Sequence, residues 1–91
     1  MTKTDLIDAL SKSTGLTRRE TTAVVDSLFD TMTDSLAKGH SVEVRGFGSF
    51  VTKKRAARVA RNPKTGATVE VPPRVVPVFR PSKALKDRVG G

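Results

Sequence analysis

Arg55, Arg58 and Arg61 recur every third residue and lead into Asn62-Pro63-Lys64-Thr65-Gly66. A guanidinium stays charged at any ordinary pH and presents a rigid fork of donors, so its chemistry here is the neutralisation of anions, above all phosphate. Pro63 has no N–H to desolvate and carries a rigid apolar ring. Those are the properties of a wedge that can separate a pair of stacked bases while Arg61 and Lys64 hold flanking phosphates. The chain has no Cys and a single His, His40, so neither a disulfide framework nor a Cys/His metal set can be assembled. Ser49 and Ser82 have no partner base and read as turn and cap residues, and His40 beside Gly39 reads as a helix-end residue. No catalytic residue, metal or cofactor is expected, and the chain is not read as an enzyme.

The 91 residues carry 17 Lys plus Arg against 9 Asp plus Glu, a net charge of +8. Residues 1–50 hold six cations and seven acids, whereas residues 51–91 hold eleven cations and two acids. All the excess therefore lies in the second half, where its directed positive potential suits a polyanion. Nucleic acid ranks ahead of an anionic membrane, because the cations cluster on a β-like stretch and not on an aromatic-faced amphipathic helix. Tyr and Trp are absent, and no aromatic residue interrupts the basic stretch to stack on exposed bases, which favours double-stranded DNA over RNA. No apolar run approaches the roughly 18 residues of a membrane span, and the opening residues lack the apolar segment of a secretory signal. A cytoplasmic location is expected.

Positioning falls to an α+β arrangement in one domain. Residues 1–40 read as two helices. Thr2 with Asp5 starts the first, Leu6, Ile7 and Leu10 form its apolar side, and Gly15 ends it. Thr17 with Glu20 forms a capping box for the second, whose Val24, Leu28, Met32 and Leu36 ladder is widened by Val25 and Phe29 and stopped at Gly39. Its other face carries Asp26, Asp30 and Asp34, which would repel phosphate and argue against a helix-turn-helix reader. Residues 41–53 and 76–81 read as a short antiparallel sheet turned at Gly46-Phe47-Gly48. Residues 54–76 contain no aromatic and no aliphatic residue larger than Val, so they cannot build a core. They read as a protruding β-ribbon arm over 54–75, turned at Asn62-Pro63. Residues 82–89 close the chain as a short helix behind a Ser82 cap. Without the arm the body is marginal alone, and two chains sharing one core is the expectation, with Leu28, Phe29, Met32, Leu36, Val44, Phe47, Phe50 and Phe79 in it.

Gly46-Phe47-Gly48-Ser49-Phe50, then Arg55 and Arg58, then Arg61-Asn62-Pro63-Lys64-Thr65-Gly66, and finally Lys83-Ala84-Leu85-Lys86 resemble the signature of the bacterial HU and integration host factor family of DNA-bending proteins. The resemblance spans essentially the whole chain. It implies an obligate, intertwined dimer whose two arms embrace the minor groove while each Pro63 intercalates and kinks the duplex. It also implies that Arg55, Arg58, Arg61, Asn62 and Lys64 are arm contacts, and that Lys3, Lys83 and Lys86 meet phosphates on the body. Lys53, Arg74 and Arg80, from the same excess of charge, together with Arg45 complete the expected DNA-binding set. Family members often carry Gly where this chain has Ala60. The segments around Val42–Phe47, Arg74–Val76 and Phe79–Pro81 resemble integration host factor more than common HU, and there Glu43 and Arg45 would take part in recognising a sequence element. The implied function is a nucleoid-associated protein that bends double-stranded DNA with low or modest sequence preference and favours distorted duplexes. The alternative is a sequence-specific subunit in a heterodimer, acting at defined sites in recombination or transcription. A homodimer is the first expectation and pairing with a related subunit the second.

Overall fold

Thr2 fastens the first helix, α1 (Lys3–Thr14): the Asp5 N–H donates to Thr2 Oγ1 at 3.2 Å and the Thr2 N–H donates to Asp5 Oδ2 at 2.9 Å. Gly15 ends it in the left-handed region at φ 75°, its N–H returned to the Ser11 carbonyl at 3.1 Å. The same reciprocal cap opens α2 (Arg18–Ala37), where the Glu20 N–H donates to Thr17 Oγ1 at 3.1 Å and the Thr17 N–H donates to Glu20 Oε1 at 3.0 Å. These bonds, that from the Thr17 backbone first and that from its side chain second, hold the Glu20 carboxyl below its ordinary value. A depressed carboxyl stabilises the fold above its unfolded-state pKa, and that contribution disappears as pH falls through the folded value. Acidification should therefore fray the first turn of α2 ahead of its middle, read as a fall in amide protection at Thr17 and Glu20 relative to the intrinsic exchange rate at each pH; protection that stays unchanged on acidification would contradict the box.

This computed structural model describes all 91 residues as two compact units, Met1–Asp34 and Ser35–Gly91. In the first, Ile7 and Val25 are buried together with Thr21, whose hydroxyl donates to the Thr17 carbonyl at 2.9 Å. Ion pairs Lys3–Asp26 and Arg18–Asp8 link α1 to α2.

The second unit is built on three antiparallel strands, β1 (Val42–Val44), β2 (Gly48–Arg55) and β5 (Arg74–Pro81), in the order β1-β2-β5. Phe50 pairs with Phe79 and with Val42, and side chains alternate across a strand, so Val42, Val44, Phe50 and Phe79 share one face. Phe47, in the β1–β2 turn, completes an aromatic cluster: ring centroids lie 4.8 Å apart for Phe50–Phe79, 5.3 Å for Phe47–Phe79 and 6.5 Å for Phe47–Phe50. Gly48 is what lets the strands close under it, because a Cβ there would stand 2.5 Å from the Arg80 carbonyl oxygen and 2.6 Å from Phe79 Cε1. Gly48→Ala should cost about 1–3 kcal/mol, as overpacking does, checked by denaturant unfolding; a neutral result would mean that the Phe79 ring gives way freely.

Strand pairing continues to Arg55↔Arg74, beyond the expected sheet limits of 53 and 76. It then stops, and a separate ribbon, β3 (Arg58–Arg61) paired with β4 (Thr68–Val71), forms the arm. The interruption has a chemical cause. Ala56 and Ala57 face Pro72 and Pro73, and two consecutive prolines offer no N–H with which to continue a ladder. Last comes α3 (Lys83–Gly90), capped by Ser82 Oγ, which accepts the Leu85 N–H at 3.1 Å. The Ser82 N–H donates to the Phe47 carbonyl at 2.9 Å and so ties the helix start to the aromatic turn.

Candidate nucleic-acid interface

Because Phe50 and Phe79 claim one face of the sheet, the alternate residues Ser49, Val51, Lys53 and Arg55 of β2 and Arg74, Val76, Val78 and Arg80 of β5 fall on the other. Four of the expected DNA-binding residues, Lys53, Arg55, Arg74 and Arg80, thus lie together on a face opposite the aromatic one. Lys54 falls by the same alternation on the aromatic side. Arg55 stands directly opposite Arg74. Like charges at such a cross-strand position are unfavourable unless an anion lies between or above them, and neither residue has an acidic partner, since the chain's ion pairs are Lys3–Asp26 and Arg18–Asp8.

On the arm, register places Arg58 with Ala60, Val69 and Val71 on one face, and Arg61 with Val59, Thr68 and Glu70 on the other. The two arginines are thus directed to opposite sides of the ribbon, as their spacing of three requires. From 54 to 75 only Ala60 and Val71 are even half-buried. At the tip, the Asn62 N–H donates to the Ala67 carbonyl and the Gly66 N–H donates to the Asn62 carbonyl, both at 2.8 Å. Asn62 Oδ1 accepts the Lys64 N–H at 2.9 Å, and Gly66 takes φ 71°, the left-handed conformation that glycine adopts without penalty. Asn62 shapes the turn through its backbone and Oδ1, while its side-chain amide N–H groups remain exposed and free to donate. What the turn presents outward is Pro63, exposed, with Arg61 and Lys64 on either side.

The remaining expected contacts divide. Lys83 and Lys86 are exposed on α3, and Arg45 is exposed in the β1–β2 turn. Lys3 differs, because its ammonium is already engaged by Asp26; an anion must compete with that carboxylate for it. Glu43 lies on the basic face opposite Ser49, and it forms no ion pair with Arg45 or Arg80. The opposition of Arg55 to Arg74 and the proline interruption were missed from sequence. Pro72-Pro73 was the available signal for the second. No cluster of three or more His, Cys, Asp or Glu gathers anywhere, and no helix is long and apolar enough to cross a membrane.

Comparison with known proteins agrees with this geometry. The family described as bacterial DNA-binding protein matches residues 1–90. The DNA-binding protein HU of Geobacillus stearothermophilus is 48% identical over 89 residues, covering 98% of this chain and 99% of its own. HU 1 of Bacillus subtilis is 46% identical over 91 residues, covering 100% and 99%. Among solved structures, an Anabaena HU cocrystallised with DNA superposes with a TM-score of 0.93 at 34% identity, covering 99% of this chain and 98% of that one. HU from Thermotoga maritima gives 0.71 at 34% identity, covering 98% of both.

Proposed function

The chain belongs to the bacterial DNA-binding protein family that includes HU, a family of DNA-binding proteins and not of enzymes, and on that premise we propose that it is an architectural protein of the nucleoid that bends double-stranded DNA as a dimer. The observation that carries the reading is the arm: an exposed ribbon without a core of its own, arginines on both faces, ending in an outward Pro63 between Arg61 and Lys64. Such a ribbon fits the minor groove, with Arg58 and Arg61 toward opposite walls and Pro63 entering between base pairs. The basic sheet face carrying Lys53, Arg55, Arg74 and Arg80 and the α3 cations Lys83 and Lys86 then follow the duplex along the body. Lys3 joins them on release from Asp26.

A dimer is required by what the single chain leaves uncovered. Only Ile7 and Val25 are buried among its apolar side chains, while Leu28 is 54% exposed, Phe47 45%, Phe29 43% and Phe79 38%. Two buried side chains at about 1.5–3 kcal/mol each fall far short of the conformational entropy that 91 residues lose on folding. A second copy of this chain supplies the missing cover for α2 and for the aromatic sheet face. Glu43, paired with Ser49 on the basic face, and Arg45, exposed in the β1–β2 turn, form no ion pair, which leaves both free to contribute a modest sequence preference. The identities of 46–48% to HU proteins favour general DNA compaction over the heterodimeric, site-specific alternative.

Phosphate neutralisation fixes the test. A dimer that neutralises about ten phosphates should show log K falling against log[salt] with a slope near −9. Gel-shift titration of the purified chain alone, on random linear duplex, at several salt concentrations, measures it. A slope near zero, or binding only in the presence of another subunit, would overturn the reading.

A further inference from the structure

Glu70 is the only acidic residue between Glu43 and Asp87, and it stands on the arm itself, exposed, in β4. A carboxylate there works against the rest of the arm, because the phosphates that attract the arginines repel it. Nothing on the arm neutralises it. It forms no ion pair, and Val59, its partner across the ribbon, is apolar and 68% exposed. The register sets Arg61↔Thr68 two pairs beyond Val59↔Glu70 toward the tip. Glu70 and Arg61 are therefore diagonal neighbours on one face, roughly 7–8 Å apart. That face presents a fork of donors near the tip and a bare acceptor behind it.

We propose that the Glu70 carboxylate reads the 2-amino group of guanine, so that the arm favours a G·C pair over an A·T pair at one place in its site. This rests on the reading of the arm as a minor-groove ribbon. The floor of that groove offers acceptors at every base pair and one kind of donor, the guanine amino group. Arg61, which only donates, finds a partner at any pair and cannot discriminate. A carboxylate only accepts, so it finds a partner at guanine alone. Against A·T it is stripped of water among acceptors and phosphates with nothing to bond, and that mismatch creates the preference. Its place follows from strand geometry. Val59, level with Glu70, precedes Pro63 by four residues; at about 3.3 Å per residue against about 3.4 Å per base pair, the pair read lies about three to four base pairs from the step that Pro63 opens.

The test is competition binding of the full-length chain to short A·T duplexes of mixed sequence, each with one nick to register an arm. A single G·C pair is walked outward from the nick. At each position it is compared with inosine·C, which lacks the amino group, and with 2,6-diaminopurine·T, which adds the amino group to an A·T-type pair. At one position, about three to four pairs out, G·C and diaminopurine·T should bind about tenfold tighter than inosine·C and A·T, the low end of what a hydrogen bond to a charged group contributes. Glu70→Ala should erase that difference and tighten binding to A·T, since the repulsion is gone. A thermal melt matching the parent's shows that the variant folds, and the base analogues test the parent chain without any substitution. Binding and bending of the nicked duplexes with no dependence on the amino group would overturn the role of Glu70 and leave the minor-groove arm standing. The same holds for an amino-group dependence that Glu70→Ala retains in full, because base-step deformability then explains it. A chain that neither binds nor bends any of the duplexes would overturn both readings.

Discussion

Pro63→Ala should bend DNA markedly less than the parent while folding and dimerising as well as it does. The side chain is exposed at the tip of the arm, and the turn beneath it is held by Asn62 and Gly66, which the substitution leaves in place. Its stability should stay within about 0.5 kcal/mol of the parent, as for an ordinary surface change. On the proposed mechanism, what is lost is the flat ring that enters between adjacent base pairs. Smooth bending of a 20–30 bp site by 40–90° costs on the order of 1–6 kcal/mol, and unstacking a step costs a few kcal/mol. A nick or gap supplies some of that deformation in advance, so the parent should prefer such duplexes to intact DNA by on the order of tenfold, equivalent to about 1.4 kcal/mol. In Pro63→Ala that preference should shrink toward unity, because nothing is left to exploit the open step. End-to-end fluorescence transfer on labelled duplexes reads the bend, and competition between nicked and intact DNA reads the preference. An alanine variant that bends as sharply as the parent would remove the wedge from the mechanism.

The larger effect on stability is expected from Phe50→Ala. Phe50 lies half-buried at the centre of the sheet, its ring 4.8 Å from that of Phe79 and 6.5 Å from that of Phe47, and it pairs with Val42 on the opposite side. Truncating a packed phenylalanine costs about 3–5 kcal/mol, and a dimer carries the lesion twice, so about 6–10 kcal/mol is lost from a total that is typically 5–15 kcal/mol. The variant should be largely unfolded at room temperature and moderate concentration. For the parent, folding coupled to association makes Tm rise with protein concentration. Thermal melts at two concentrations, together with the sedimentation mass, test both statements. A parent whose Tm ignores concentration, or a variant that melts within a few degrees of it, would contradict the shared core.

Much of the local architecture was legible because the forces that set it act over a few residues. Thr2 with Asp5 and Thr17 with Glu20 close boxes across three positions, Gly15 and Gly39 supply left-handed stops, and Asn62 through Gly66 build a turn from their own side chains and backbone. The arm was legible for a negative reason, that no large apolar side chain between 54 and 76 could hold it against anything. The sheet limits were misjudged by two residues at each end because Lys54, Arg55 and Arg74 carry no strong strand signal of their own and the basic run they belong to was read as arm. Their pairing is imposed by the ladder that precedes them.

By itself the sequence determined that this chain is a small basic α+β protein with a basic, proline-tipped arm and a core too small for one copy. Each of those properties follows from composition or from neighbours within about four positions. The tertiary structure alone decided which cations act together. Register between partners 19 or more positions apart in sequence puts Lys53, Arg55, Arg74 and Arg80 on one face, sets Arg55 against Arg74, and sends Lys54 to the other side, while helix packing gives Lys3 to Asp26. Side-chain direction in a sheet alternates with every residue, so a one-residue slip in pairing would have exchanged the two faces, and no local signal in the sequence fixes that parity.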